Sequence, residues 1–178
     1  MSKIVCLTGL GGSGKSEITR ALENDPKIGI VRLGEEVRRL RREEKTDFST
    51  EEYAEKYRFS SVCETFKEEI KSLAESKEIL IVDSVRTMAD YCFFQQTFEN
   101  VKLIMIVADR GRRLDWLKSR NRTGDPKSEL KLAGHDYWEL DFGISSLFGV
   151  VDKFFVNEGS VGILKEKVVD YIFNSFDK

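Results

Sequence analysis

Residues 9–16, Gly-Leu-Gly-Gly-Ser-Gly-Lys-Ser, constrain this chain more than any other stretch. They fit the pattern GxxxxGK[ST] at every fixed position. Gly9, Gly11, Gly12 and Gly14 let the backbone take positive φ and approach a phosphate without a Cβ in the way. Successive N–H groups, Ser13 among them, then point inward as an anion nest at the start of a helix. Lys15 supplies a mobile point charge for β- and γ-phosphates, and the Ser16 hydroxyl is a hard oxygen ligand for Mg²⁺. A chance match somewhere in such a chain is on the order of one in a thousand. The loop also stands where the motif requires, after the apolar run 4–8 and at the opening of a helical pattern over 15–24. Phosphate binding is the first functional expectation.

The rest of the chain repeats that alternation. Short apolar runs at 28–33, 79–83, 101–108 and 153–156 read as strands buried on both faces. Helical patterns lie at 34–42, 87–98, 112–121, 127–140 and 161–176. Ser49 and Glu52 form a capping box that opens a long helical stretch to about residue 76, as one helix or two. Strands alternating with helices predict parallel βαβ units, hence an α/β class with a helix-covered sheet. The length, 178 residues with no Gly/Pro/Ser-rich linker, predicts a single domain over 1–178.

Composition excludes several functions. Hydrophobic residues are 40% and charged residues 34%, a globular balance rather than a disordered one. With 29 basic and 31 acidic residues the formal charge is −2, which disfavours a nucleic-acid partner. The longest charge-poor apolar stretch, 142–151, is interrupted by Asp152 and too short to span a bilayer, so no membrane association is expected. Cys6, Cys63 and Cys92 lack metal or redox spacing and read as thiols in a reducing, cytoplasmic setting.

Charge gathers after the strands. Asp83 ends the third apolar run, where a carboxylate can hold Mg²⁺ through water. Arg86 stands just beyond it, Arg38 follows the second run, and Arg113, Arg120 and Arg122 follow the fourth. All fall just past strand C-termini, the edge at which open α/β sheets bind ligands. Three basic clusters beside a phosphate loop point to two phosphorylated ligands, with arginines neutralising the group in transfer.

Here the chain resembles the P-loop nucleotide kinases. Residues 33–38, Leu-Gly-Glu-Glu-Val-Arg, resemble the adenylate-kinase segment whose arginine holds the acceptor monophosphate, which implies that role for Arg38 with Glu35 beside it. Residues 83–86, Asp-Ser-Val-Arg, resemble a second such segment and imply that Arg86 binds the acceptor phosphate. Residues 115–120 resemble the arginine pair that meets the transferring group, implying Arg120, with Trp116 at the position that covers adenine. The opening loop and the Asn157-Glu158-Gly159-Ser160 segment are shared with dephospho-coenzyme A kinases, where Asn157 and Gly159 would neighbour the donor base. The most specific stretch, 120–160, is similar to an uncharacterised archaeal family related to both enzymes, through 120–126 and through His135-Asp136-Tyr137-Trp138-Glu139-Leu140 with Gly143-Ile144. His135 stands where that family has an arginine.

The resemblance implies a three-layer P-loop fold with a five-stranded parallel sheet, like that of nucleoside monophosphate kinases. It implies an acceptor region at about 34–77 and a short lid at about 120–140. The expected reaction is transfer of the γ-phosphoryl group of ATP, with Mg²⁺, to a nucleotide. Lys15, Asp83, Arg113 and Arg120 would carry the catalysis. An AMP-like acceptor needs no general base; a dephospho-CoA-like hydroxyl would need Glu35, or else Asp83. A slow ATPase or nucleotide-sensing protein is the competing expectation. One arrangement would undo the kinase reading: a loop filled by the protein's own side chains, with the Lys15 ammonium turned away.

Overall fold

Ile4, Val5, Cys6 and Leu7 are four consecutive residues with no exposed surface, which is possible only for a strand covered on both faces. In the computed structural model, which describes residues 2–120, 122, 124–174 and 176, they form the centre of a parallel sheet. The sheet comprises β1 (Lys3–Thr8), β2 (Ile28–Arg32), β3 (Ile79–Asp83), β4 (Val101–Ala108) and β5 (Lys153–Asn157). Their spatial order is β2-β3-β1-β4-β5, and every neighbouring pair is parallel. The helices are α1 (Lys15–Leu22), α2 (Leu33–Glu43), α3 (Thr50–Ala54), α4 (Lys67–Glu75), α5 (Met88–Thr97), α6 (Arg110–Arg120), α7 (Glu129–Glu139), α8 (Ser145–Leu147) and α9 (Val161–Asn174).

The period-2 geometry of a strand divides the core into two layers. Ile4, Cys6, Leu80, Val82, Leu103 and Met105 face one side and meet Phe66, Ile70 of α4, Phe94 of α5 and Leu147. Val5, Leu7, Ile81, Ile104 and Ile106 face the other and meet Ile18 of α1 and Leu164, Val168 and Ile172 of α9. This is the α/β architecture expected, with five parallel strands between helical layers. Cys6 and Cys63 are buried and Cys92 half-buried, all unbridged; burial pushes the Cys6 and Cys63 thiols up. No helix among the described residues is long and apolar enough to cross a membrane.

Two segments differ from the expected elements. The capping box at Ser49 and Glu52 is present, yet the helix it opens stops at Ala54. Short 3-10 turns at Glu55–Tyr57 and Val62–Phe66 follow before α4 begins. The buried Asp90 carboxylate accepts from Ser61 Oγ and the Val62 amide, which secures the chain in that non-helical path. The pattern read over 127–140 also splits. It becomes α7 and then a π-helical turn at Leu140–Ile144, in which Gly143 adopts φ 154°. Of the motif residues, Asn121 and Thr123 lie outside the described residues.

The register places the site. Leu7 pairs with Asp83, and Asp83 with Arg32, so the loop after β1 and the turns after β2 and β3 emerge together at one sheet edge.

Candidate active site

The loop joining β1 to α1 has the backbone that its glycines permit. Gly9 and Gly14 lie at φ 128° and 109°. A Cβ on Gly9 would sit 2.1 Å from the Ile106 carbonyl oxygen, and one on Gly14 would sit 2.7 Å from Asn157 Nδ2. Asn157, at the end of β5, is buried and donates that Nδ2 to the Ser13 carbonyl at 2.9 Å, tying the loop to the sheet edge. Among the described residues, the amides of Gly12, Gly14, Lys15 and Ser16 meet no protein acceptor. They form the first turn of α1 and its approach, where unpaired N–H groups and the helix dipole favour an anion.

Lys15 is buried, and burial lowers its ammonium's pKa, while Glu139 and Asp83 oppose that shift. Its Nζ donates to the carbonyls of Gly9 at 2.5 Å and Leu10 at 3.1 Å. Asp83 is 5% exposed, and its Oδ1 accepts from Ser84 Oγ at 3.0 Å. Ser84 itself takes φ 71°, a left-handed conformation costly for a residue with a side chain. Asp83 and the exposed Ser16 line one cavity and are both hard oxygen donors, a set that fits Mg²⁺.

That cavity has a volume of about 930 Å³. Loop residues Gly11 to Ser16 line one part of it, and Glu35, Arg38, Arg86, Trp116 and Arg122 line the rest. Arg38 is half-buried; burial lowers its pKa, and Arg122 is the foremost nearby charge acting in the same direction. Neither guanidinium forms an ion pair among the described residues. Two cations close enough to act on each other, lining one cavity and only partly offset by Glu35 and Asp125, favour an anionic ligand there.

Other arginines singled out by the sequence are already engaged. Arg120 lines the cavity but is held by Asp125 through two bonds of 2.9 and 2.6 Å. Arg113 is 4% exposed and does not line the cavity. It grips both oxygens of Asp136 at 2.7 and 2.6 Å and donates to the Gly11 carbonyl. Through these bonds Arg113 links α6, α7 and the loop. Gly9 and Gly159 also lie off the cavity lining, whereas Asn157 is on it.

One residue inside the loop was not anticipated from sequence. The carboxylate of Glu139, 0% exposed, accepts the Gly11 amide at 2.7 Å and Arg86 Nη2 at 2.8 Å. The loop is thus partly filled by the protein, and its ammonium turns toward loop carbonyls. The occupant is an anion, which is what such a nest selects, and the other amides remain open. The available signal was the Asp136–Glu139 spacing: acids three apart share a helix face.

Comparison with known proteins agrees with this geometry. The chain is 29% identical over 168 residues to UPF0200 protein TK1334 of Thermococcus kodakarensis, covering 88% of this chain and 89% of that one. It is 29% identical over 183 residues to UPF0200 protein PF1294 of Pyrococcus furiosus, covering 96% and 98%. No family model matches. Among solved structures, shikimate kinase from Acinetobacter baumannii in complex with shikimate superposes with a TM-score of 0.60 at 14% identity, covering 100% and 97%. TT1252 from Thermus thermophilus gives 0.59 at 12%, covering 99% of each chain. The chain is similar over most of its length to UPF0200 proteins, and it shares its fold with shikimate kinase.

Proposed function

We propose that the chain is a Mg-ATP-dependent phosphotransferase that passes the γ-phosphoryl group of ATP to a nucleotide acceptor. The observation that carries this reading is the single cavity of about 930 Å³, which is lined both by the glycine-rich loop, several of whose amides meet no acceptor among the described residues, and by Arg38 and Arg122. Lys15 and the free loop amides hold the donor phosphates, with Trp116 and Asn157 on the donor side. Arg38 and Arg86 hold the acceptor's phosphate, and Arg120 with Arg122 screens charge on the group in transfer. Ser16 and Asp83 are the residues to hold Mg²⁺, which when bound neutralises charge on the donor phosphates.

An acceptor monophosphate attacks through a phosphate oxygen and needs no base. A dephospho-CoA-like hydroxyl needs Glu35 or Asp83 to take its proton. The unbridged cysteines suit a cytoplasmic setting.

The experiment is incubation with γ-labelled ATP, Mg²⁺ and a panel of nucleoside monophosphates and dephospho-CoA. Label passed to an acceptor supports the kinase reading. Orthophosphate alone favours a second reading, a slow ATPase or nucleotide-responsive binding protein. The contact between Glu139 and the Gly11 amide speaks for that second reading, because it fills part of the loop.

A further inference from the structure

The proposed reaction makes no use of Glu139, yet this carboxylate has no exposed surface and lies against the phosphate loop. It sits at the end of α7, directly before the helical chain continues as a π turn, and so far from solvent that an isolated charge there would be costly. Two cationic side chains, one backbone amide and an imidazole surround it. Arg86 Nη2 lies 2.8 Å from Oε1, the Gly11 N–H lies 2.7 Å from Oε2, and His135 Nδ1 lies 3.6 Å from Oε2. The fourth group is Lys15, whose ammonium feels Glu139 as its foremost neighbouring charge.

The chain beyond Glu139 departs from regular α-helix. The π-helical turn at Leu140–Ile144 follows directly, and in it Gly143, at φ 154°, leaves no room for a side chain, since a Cβ there would sit 2.7 Å from the Arg86 carbonyl oxygen. π-helical turns are rare and are found frequently at functional sites. The carboxylate also presents what a loop of this kind reads in a terminal phosphate: negative charge, acceptor lone pairs on a backbone amide, and an arginine alongside.

We propose that Glu139 is an internal occupant of the terminal-phosphate position of the loop, so that the protein distinguishes nucleotides by phosphate number. A diphosphate enters beside Glu139, whereas a triphosphate must expel it from Gly11. Because the same carboxylate holds Arg86, its expulsion also releases the arginine assigned to the acceptor. Donor loading and acceptor-site opening thus become one event. This inference rests on the nucleotide-binding reading of the same site.

The test is calorimetric titration of the full chain with ADP and with ATP, each with and without Mg²⁺. The proteins are wild type, E139Q and, as a control for net charge, E166Q on the exposed face of α9. Wild type is expected to bind ADP at least tenfold more tightly than ATP. E139Q should tighten ATP tenfold or more and ADP less than threefold, and E166Q should change neither ratio. Equal gains for both nucleotides in E139Q, or no gain for ATP, would overturn the inference. So would a wild type that binds ATP as tightly as ADP, a result that decides the matter even if E139Q fails to fold. Binding of neither nucleotide by any of the proteins would instead remove the nucleotide-binding reading, and the inference with it.

Discussion

Arg113 and Asp136 close a two-pronged ion pair across α6 and α7, at 2.7 and 2.6 Å, while the same guanidinium holds the Gly11 carbonyl. The backbone of the phosphate loop is therefore braced by a pair contributed from elements more than a hundred residues away in the chain. Removing one member leaves a buried charge uncompensated. Asp136→Ala is expected to cost about 3–5 kcal/mol of stability, read from urea unfolding. The double variant Arg113→Met with Asp136→Leu should recover most of that loss, since a buried pair exchanged for apolar groups is close to neutral. A single-variant loss below about 1 kcal/mol would show that the pair braces nothing.

Lys15→Ala tests the loop itself. Wild-type protein with nucleotide at a hundred times Kd should gain about 2.7 kcal/mol against unfolding. The variant should gain none, as read by the shift in melting temperature with and without ATP. Undiminished stabilisation would contradict the role given to this ammonium.

Glu35 distinguishes the two acceptor chemistries. It is exposed and lines the cavity beside Arg38. Glu35→Gln should leave kcat nearly unchanged if the acceptor attacks through a phosphate oxygen. A loss of about a hundredfold or more is expected if Glu35 takes a hydroxyl proton. Steady-state kinetics on whichever acceptor takes up label separates the cases.

Acidification should weaken the Glu139 contacts. Burial pushes this carboxyl up, but Arg86, Lys15, His135 and the Gly11 amide outweigh burial and hold it below its ordinary value of 4.5. A carboxylate depressed in the folded state supplies stability above its unfolded value, and that stability is lost as pH falls through the folded value. Unfolding free energies measured downward from about pH 6 should therefore drop more steeply below about pH 4.5 in wild type than in Glu139→Gln. Parallel curves would show that the carboxylate contributes no net stability.

Gly143→Ala probes the turn behind Arg86. An added Cβ would come 2.7 Å from the Arg86 carbonyl oxygen and 3.2 Å from Thr87 Cα, at a φ that side chains rarely adopt. The expected cost is about 1–3 kcal/mol in stability. Because the obstruction bears on the backbone of Arg86, a raised KM for the acceptor should accompany it, with the KM for ATP less affected.

The five strands and the phosphate loop were legible in the sequence because each is a local pattern. A fully covered strand reads as an unbroken apolar run, and a nest of amides needs its glycines at fixed spacing. The helical stretch after Ser49 was over-read for the complementary reason. Its apolar spacing continues past Ala54, but the buried Asp90, thirty-six residues further on, captures the Val62 amide and turns the chain. Propensity reports what a segment prefers alone, and a buried carboxylate that needs donors outbids it.

The charged residues divide in the same way. That arginines would crowd one sheet edge followed from their positions after the strands. Which of them stay free is a matter of pairing across the fold: Arg38 and Arg122 face the cavity, Asp136 takes Arg113, Asp125 takes Arg120 and Glu139 takes Arg86. The sequence by itself determined the fold class and the glycine-rich turn between β1 and α1, since both rest on short-range backbone geometry. Only the tertiary structure decided which side chain that loop holds. The contact between Gly11 and Glu139 spans 128 positions, and no local preference specifies it.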